Sequence, residues 1–203
     1  MNVLSTIYTK FKIVRSRKII QNNWIKEGKP IPPPTKVKHL IIEEYRKKSN
    51  LCSFVETGTF KGETTFVQSF YFKSCYTIEL STELYRLATE KFKSFPNVHL
   101  YHGDSAILLG EIVPILSEPA LFWLDGHYSE GETAKGDLNT PIMKELEIVI
   151  GDKRFKHLIL IDDARDFIGK NDYPTINSLK EYVAKLNPSA KFTVVDDIIR
   201  IEQ

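Results

Sequence analysis

The sequence has little cysteine and no long apolar run, and both absences narrow the possible classes of protein. Its 203 residues include only two cysteines, Cys52 and Cys75, each within a short apolar stretch. We therefore expect buried free thiols and a reducing compartment, the cytoplasm, instead of a disulfide. The apolar run at residues 158–161 is far shorter than the ~20 residues that span a bilayer. The N-terminus shows no apolar core or cleavage site, so a secretory leader is not expected.

The common glycine motifs of nucleotide-binding proteins are also absent. The chain contains neither G-x-G-x-x-G nor a phosphate-binding loop that ends in G-K-[ST]. The composition, 42% apolar and 27% charged residues, is that of a folded globular protein. A chain of this length can bury a core without a metal or a disulfide to hold it together.

Positive charge is concentrated at the N-terminal end of the chain. Residues 1–50 carry 12 basic and 3 acidic side chains, whereas the remainder is acidic and the total charge is only +2. Nucleic acid, an anionic membrane surface and an acidic protein are all possible partners for this end. The plainer interpretation is an extension that keeps the protein soluble or docks on its acidic body. Nucleic acid is the weaker alternative, because no basic motif interleaved with aromatic residues is present.

The spacing of apolar residues and the position of the prolines divide the chain into an extension, residues 1–34, and a main domain, residues 35–203. Apolar residues at helical spacing begin the extension: Leu4, Ile7, Tyr8, Phe11 and Val14. This amphipathic segment could lie on a membrane surface, on its own domain, or on a second copy in a homodimer. Four prolines between residues 30 and 34 then predict an extended linker.

From residue 35 onward, short apolar runs alternate with helical stretches. Five of these apolar runs are strand candidates, and two further strand candidates flank Asp196-Asp197 near the C-terminus. The Asp196-Asp197 pair predicts a tight hairpin between them. Strands that alternate with helices predict a parallel sheet with helices on both faces. The expected fold is therefore α/β: a Rossmann-like, doubly wound, mostly parallel seven-stranded sheet that closes with a C-terminal antiparallel hairpin.

Carboxylates mark the ends of the predicted strands, where open parallel sheets bind their ligands. The acidic residues at these ends are Glu56, Glu79, Asp104, Asp125 and the pair Asp162-Asp163. Clustered like charges cost stability unless a cation neutralises them, so this pattern is the strongest functional signal in the chain.

The first loop follows Glu56, and Gly58 and Gly62 in it permit a tight turn and a close ligand. A carboxylate at this position disfavours a pyrophosphate and favours a ligand with an amine or a sulfonium. Glu79, at the end of the second strand, is placed to accept hydrogen bonds from ribose hydroxyls.

Five stretches resemble the class I S-adenosylmethionine (SAM)-dependent methyltransferases: FVETGTFKG (54–62), YTIEL (76–80), HGDSAILL (102–109), WLDGHYS (123–129) and LILIDDARDF (158–167). The resemblance spans residues 35–203 and implies that SAM is the cofactor. It implies that the first loop holds the methionine part through Glu56, Gly58, Thr59 and Gly62, that Glu79 binds the ribose, and that Asp104 and Ser105 flank the adenine. Thr59 stands where the commonest form of the loop has a glycine.

Three aspartates from two neighbouring strands, Asp125, Asp162 and Asp163, form a set of hard oxygen ligands suited to Mg²⁺. With these residues the chain resembles the macrocin-type metal-dependent O-methyltransferases, which implies a small-molecule hydroxyl acceptor, a sugar or polysaccharide precursor. The plainer alternative is that Asp162 caps a turn and Asp163 is solvated.

Residues 125–139 form a long polar loop with His127 near its start. We interpret His127 as the general base for the acceptor hydroxyl and Asp125 as the alternative base. A purely structural histidine, or one near the metal, is equally open. Two other functions compete with this reading: a nucleic-acid methyltransferase that uses the basic N-terminus, and a non-catalytic nucleotide-binding module of the same fold. The absence of an Asn-Pro-Pro-Tyr-type motif argues against the first.

Overall fold

A computed structural model describes the backbone of residues 3–126 and 140–203, with side chains from residue 15 onward. The α-helices are α1 Val3–Lys26, α2 Thr35–Lys48, α3 Glu63–Gln68, α4 Thr82–Phe92, α5 Ser105–Ile115, α6 Ile142–Gly151 and α7 Ile176–Leu186. The strands are β1 Ser53–Thr57, β2 Ser74–Glu79, β3 Val98–His102, β4 Ala120–Leu124, β5 Leu158–Ile161, β6 Lys191–Val195 and β7 Ile198–Glu202. A short 3-10 helix, Ala164–Asp166, follows β5.

The seven strands form one sheet in the order β3-β2-β1-β4-β5-β7-β6. The first five strands in this order are parallel, and β7 pairs antiparallel with both β5 and β6. Asp196 and Asp197 join β6 to β7 with φ values of 52° and 60°, as a tight hairpin turn requires. The predicted mostly parallel sheet with a C-terminal hairpin is confirmed.

The central strands are buried on both faces, which explains their continuous apolar sequences. On one face, Val55 of β1 and Phe122 of β4 pack with helices α5, α6 and α7. On the other face, their neighbours Phe54 and Trp123 pack with α1 and α2. The strand order reverses between β1 and β4, so a ligand crevice is expected outside the carboxyl ends of these two strands.

The predicted extension packs on the rest of the chain through the C-terminal part of α1. Arg17 is only 1% exposed, and its Nη2 donates to Glu43 Oε2 at 2.9 Å and to Tyr71 Oη at 2.8 Å. Trp24 is buried in the same core, and its indole N–H donates to the carbonyl of Pro30. Helix α1 is thus held by a buried charge as well as by apolar contact.

We expect Arg17→Met to lower the free energy of unfolding by about 2 kcal/mol, because the variant loses the buried hydrogen bonds from the guanidinium to Glu43 and Tyr71, although Lys47 still pairs with Glu43. Urea unfolding followed by circular dichroism measures this loss. The control is Arg15→Met, an exposed arginine of the same helix, for which the change should stay within about 0.5 kcal/mol. Equal losses in the two variants would show that the buried pair has no special role.

Both cysteines are free, as predicted: Cys75 is buried, while Cys52, just before β1, is only partly covered. Among the described residues, no helix has the length and apolar character that crossing a bilayer demands.

Candidate functional site

The loop after β1 lies directly against the end of β4. Gly58 has φ +82°, and a Cβ added to it would lie 2.4 Å from the backbone oxygen of Asp125. The N–H groups of Gly58 and Thr59 both donate to the carbonyl of Ile78, at 3.0 and 3.1 Å. Gly62 also has a positive φ, and a Cβ there would meet the Phe92 ring at 2.8 Å. Glycine at these two positions is therefore a requirement of the packing, as well as of the turn.

Glu79, the last residue of β2, holds this loop and the next one together. Its Oε2 accepts from the backbone N–H of Phe60 at 2.7 Å, and its Oε1 accepts from the N–H of Ser81 at 2.8 Å. Phe60 has a positive φ of 49°, an uncommon conformation for a residue with a side chain. Each oxygen of this carboxylate can accept a second hydrogen bond, so Glu79 can still accept hydrogen bonds from the hydroxyl groups of a ligand.

Glu56 is the penultimate residue of β1, which ends at Thr57. Its side chain lies beneath the loop that follows. Its side chain is 2% exposed, and Oε2 accepts from the hydroxyls of Thr77, at 2.7 Å, and Thr65. The hydroxyls of Thr59 and Thr77 lie 2.6 Å apart and continue this network into the loop. Burial raises the pKa of Glu56 to about 7, although the two threonine hydroxyls oppose the shift.

This raised pKa predicts a pH-dependent stability. The Glu56 carboxyl has a pKa of about 4.5 in the unfolded chain and about 7 in the folded protein. Because the folded state binds this proton more tightly, the free energy of unfolding falls as the pH rises from 4.5 to 7. We expect wild type to lose about 3 kcal/mol more than Glu56→Gln over this interval. Unfolding by urea at several pH values measures the difference. Glu63→Gln, which removes an exposed carboxyl nearby, should reproduce the wild-type slope, and a wild-type slope in Glu56→Gln as well would contradict the assignment.

Asp104 and Ser105 lie beside the end of β2, where the resemblance places the adenine. The N–H of Gly103 donates to the carbonyl of Glu79 at 3.0 Å. The Asp104 carboxylate accepts from the N–H of Ala106 at 2.8 Å and so caps the N-terminus of α5. Ser105 is buried at the first position of that helix. Asp104 therefore has a structural role in the fold whether or not a nucleoside binds there.

The three aspartates converge as predicted: one carboxylate oxygen from each of Asp125, Asp162 and Asp163 lies within 4.8 Å of the others. The backbone places them, because the N–H of Asp125 donates to the carbonyl of Thr57, and the N–H of Asp162 donates to the carbonyl of Leu124. Asp163 has a positive φ of 54°, and its N–H donates to Asp162 Oδ1 at 2.9 Å. A tight turn after β5 thus directs two successive carboxylates to one place.

Among the residues that the structure describes, two basic side chains contact this acidic cluster, defined as Asp125, Asp162 and Asp163. Lys38 Nζ of α2 lies 2.5 Å from Asp162 Oδ2 and 3.2 Å from Asp163 Oδ1. Arg165 Nη1 lies 2.8 Å from Asp163 Oδ1 and also pairs with the carboxylate of Asp197. The like charges are therefore partly neutralised within the chain itself.

The pKa values reflect this balance of burial and charge. Burial, and repulsion from Asp125 and Asp163, raise the pKa of Asp162 to about 7, although Lys38 opposes the shift. Burial alone would lower the pKa of Lys38, but the attraction of the surrounding carboxylates outweighs it and raises that pKa. A cation at this position is thus electrostatically favourable.

Sequence reasoning missed Lys38, Arg165 and Asp197 as members of the site. The sequence did predict that the clustered carboxylates need a cation. That prediction is the one signal that could have prompted a search for a lysine near them. His127, the predicted general base, lies outside the described residues, as does most of the loop predicted at residues 125–139.

A small cavity adjoins the acidic cluster on the side of β5 and α6. Its wall is partly apolar, from Leu124, Ile142, Ile161 and Phe167, and partly polar, from Thr140, Glu145, Asp162 and Tyr173. Its volume of about 10 Å³ has room for about one water molecule, so this cavity as it stands does not hold an acceptor.

No family model matches the chain, and no curated protein matches its sequence. Solved structures do match at the level of the fold. An O-methyltransferase from Bacillus cereus, in complex with S-adenosylhomocysteine (SAH), matches with 13% identity and a TM-score of 0.60, over 93% of this chain and 91% of that chain. The SAH-bound methyltransferase PaMTH1 from Podospora anserina matches with 15% identity and a TM-score of 0.57, over 94% and 86%.

A 23S rRNA methyltransferase, ErmE, matches as well, with 13% identity and a TM-score of 0.53, over 80% of this chain and 67% of that chain. The same fold therefore occurs in an enzyme named as an rRNA methyltransferase and in one named as an O-methyltransferase, and the fold alone does not select the acceptor. What the likeness shows is that this chain has the Rossmann-like fold of the class I methyltransferases.

Proposed function

We propose that the protein is a SAM-dependent O-methyltransferase that acts on a hydroxyl group of a small molecule. The observation that carries the proposal is the arrangement of two carboxylate sites at one edge of the sheet. Glu79 and the loop around Gly58 lie at the ends of β1 and β2, and the acidic cluster lies beside them at the ends of β4 and β5. A cofactor and an acceptor bound to these two sites would be neighbours.

On this proposal, the absence of a side chain at Gly58 lets the methionine part of SAM approach the backbone. The Glu79 carboxylate accepts the ribose hydroxyls, and Asp104 and Ser105 flank the adenine. Glu56 acts from below, since it contacts threonine hydroxyls of the loop and the adjacent strand. Thr59 and Gly62 shape the same loop.

Methyl transfer to a hydroxyl forms an O–C bond, breaks the C–S bond of the sulfonium and releases the hydroxyl proton. An alcohol is a weak nucleophile near pH 7, so a group must accept this proton. Asp125 offers a carboxylate within the described site, next to Gly58. His127 is the other candidate base and stays a prediction from the sequence.

The acidic cluster fits a divalent cation, because it offers three hard oxygen ligands and already attracts the ammonium group of Lys38. Asp125, Asp162 and Asp163 would hold Mg²⁺, which lowers the pKa of an oxygen bound to it. A sugar, with hydroxyls on neighbouring carbons, is the acceptor class that the macrocin-type resemblance suggests.

The basic N-terminal part offers only weak support for a nucleic-acid acceptor, because several of its charges are engaged within the protein. Ion pairs join Lys29 to Asp196, Lys38 to Asp162 and Lys48 to Glu202. These pairs favour the interpretation that the basic end docks on the acidic body.

Labelled SAM tests the proposed function directly. The protein is incubated with a panel of sugars, nucleotide sugars, catechols and RNA, each with Mg²⁺ and with excess EDTA. We expect transfer of the labelled methyl group to a hydroxyl compound in the presence of Mg²⁺. Transfer to RNA alone would favour the nucleic-acid alternative, and SAH binding without any transfer would favour the non-catalytic module.

A further inference from the structure

Lys38 reaches the acidic cluster from a helix outside the strand ends that form it. The residue lies in the first turn of α2, between Val37 and His39, which are both buried. Its side chain is only 15% exposed. The packing of its two neighbours therefore fixes the backbone of Lys38, from which the flexible side chain reaches the carboxylates.

The oxygens that Lys38 contacts belong to two of the three carboxylates that a metal ion would use. Asp162 Oδ2 and Asp163 Oδ1 accept from Lys38, while Asp162 Oδ1 accepts from the backbone N–H of Asp163. A divalent cation on these atoms would stand within a few ångströms of the ammonium group, where two positive charges repel strongly. The ammonium group and the metal therefore cannot share the cluster at its present geometry.

We propose that Lys38 is a built-in counter-ion that competes with a divalent cation for Asp162 and Asp163, so that metal binding displaces its ammonium group from the cluster. The inference rests on the proposed function only in taking this cluster as a cation site. Arg165 Nη1 also lies 2.8 Å from Asp163 Oδ1 and would be repelled by the metal as well, but Asp197 gives its guanidinium a second anchor. The described ion pairs of Lys38 are with the cluster alone, so Lys38 is the group that moves.

This competition has a consequence for the order of binding. Lys38 keeps the carboxylates neutralised without the metal, and it lowers the affinity of the metal for the protein alone. An acceptor that contributes its own oxygens adds ligands to the metal and offsets the displacement of Lys38. Metal and acceptor are then expected to bind cooperatively.

Calorimetric titration of the full-length chain with Mn²⁺ tests the proposal in the absence of turnover. We expect Lys38→Met to bind Mn²⁺ at least tenfold more tightly than wild type. The matched control is Lys36→Met, which removes an exposed lysine from the same helical turn and should change the affinity less than twofold. Should Lys38→Met fail to fold, Lys38→Gln removes the charge but keeps a hydrogen-bond donor, and it should show the same increase.

Equal or weaker Mn²⁺ binding in the Lys38 variants, or no Mn²⁺ binding to any variant, would overturn the proposal. A titration with SAH on the same preparations separates this result from the proposed function. Loss of SAH binding with a persistent difference in Mn²⁺ affinity would contradict the methyltransferase and leave the role of Lys38 intact. Normal SAH binding with equal Mn²⁺ affinities would contradict the role of Lys38 and leave the proposed methyltransferase intact.

Discussion

Glu79→Ala is expected to weaken SAH binding by about a hundredfold or more. Ribose hydroxyls would donate two hydrogen bonds to this carboxylate, and such charge-assisted bonds contribute roughly 1.5–3 kcal/mol each. The variant also loses the bonds from the N–H groups of Phe60 and Ser81 that hold the two loops in place. Calorimetry with SAH measures the affinity of wild type and variant.

The control for Glu79 is Glu90→Ala, which removes an exposed carboxylate of α4 that pairs with Lys93. Its SAH affinity should stay within twofold of wild type. Unchanged SAH binding in Glu79→Ala would contradict the assignment of Glu79 to the ribose, since no other carboxylate lies at the end of β2.

Asp162→Asn is expected to lower the rate of methyl transfer by roughly 10²–10⁴-fold, because metal coordination contributes several kcal/mol to charge stabilisation in the transition state. Mn²⁺ binding should weaken at least tenfold in the same variant. SAH binding should change less than twofold, since the cofactor residues lie at the ends of β1, β2 and β3. The rate is measured with labelled SAM and the acceptor that the panel identifies.

Stability separates this effect from misfolding. Asparagine preserves the shape of Asp162 and removes one of three clustered negative charges, and Lys38 keeps its contact with Asp163. The lost ion pair with Lys38 and the relieved repulsion from Asp125 and Asp163 oppose each other, so we expect the free energy of unfolding to fall by no more than about 2 kcal/mol. Asp196→Asn, in the hairpin turn, is the control, because the described ion pairs of Asp196 are with Lys29 and Arg200 and not with the cluster, and it should retain the wild-type rate. A fully active Asp162→Asn would mean that the aspartates serve only the fold.

The sheet and its acidic edge were predictable because they follow from local patterns. Alternation of apolar runs with helical stretches predicts parallel strands, and the carboxyl ends of such strands meet at one edge. The convergence of Asp125 with Asp162 required only the expectation that β4 and β5 are neighbours. The hairpin at Asp196-Asp197 was likewise marked by two residues that tolerate a positive φ.

The cations and hydroxyls of the site were not predictable, because they depend on how helices pack on the sheet. Lys38 belongs to α2, whose position is set by buried contacts of Val37 and Ile41, and no spacing in the sequence links it to Asp162. Thr65 and Thr77 meet Glu56 only because α3 and β2 flank β1. Such contacts arise from tertiary packing and leave no periodic trace in the sequence.

The most direct test of the central claim is a calorimetric comparison of SAH and NAD binding to the wild-type protein. The account predicts a dissociation constant of ~1–100 μM for SAH, typical of a small-ligand site, and binding of NAD that is at least tenfold weaker. The absence of G-x-G-x-x-G and the carboxyl of Glu56 beneath the first loop disfavour a pyrophosphate, whereas the ribose position at Glu79 suits either ligand. Tighter binding of NAD than of SAH would contradict the account.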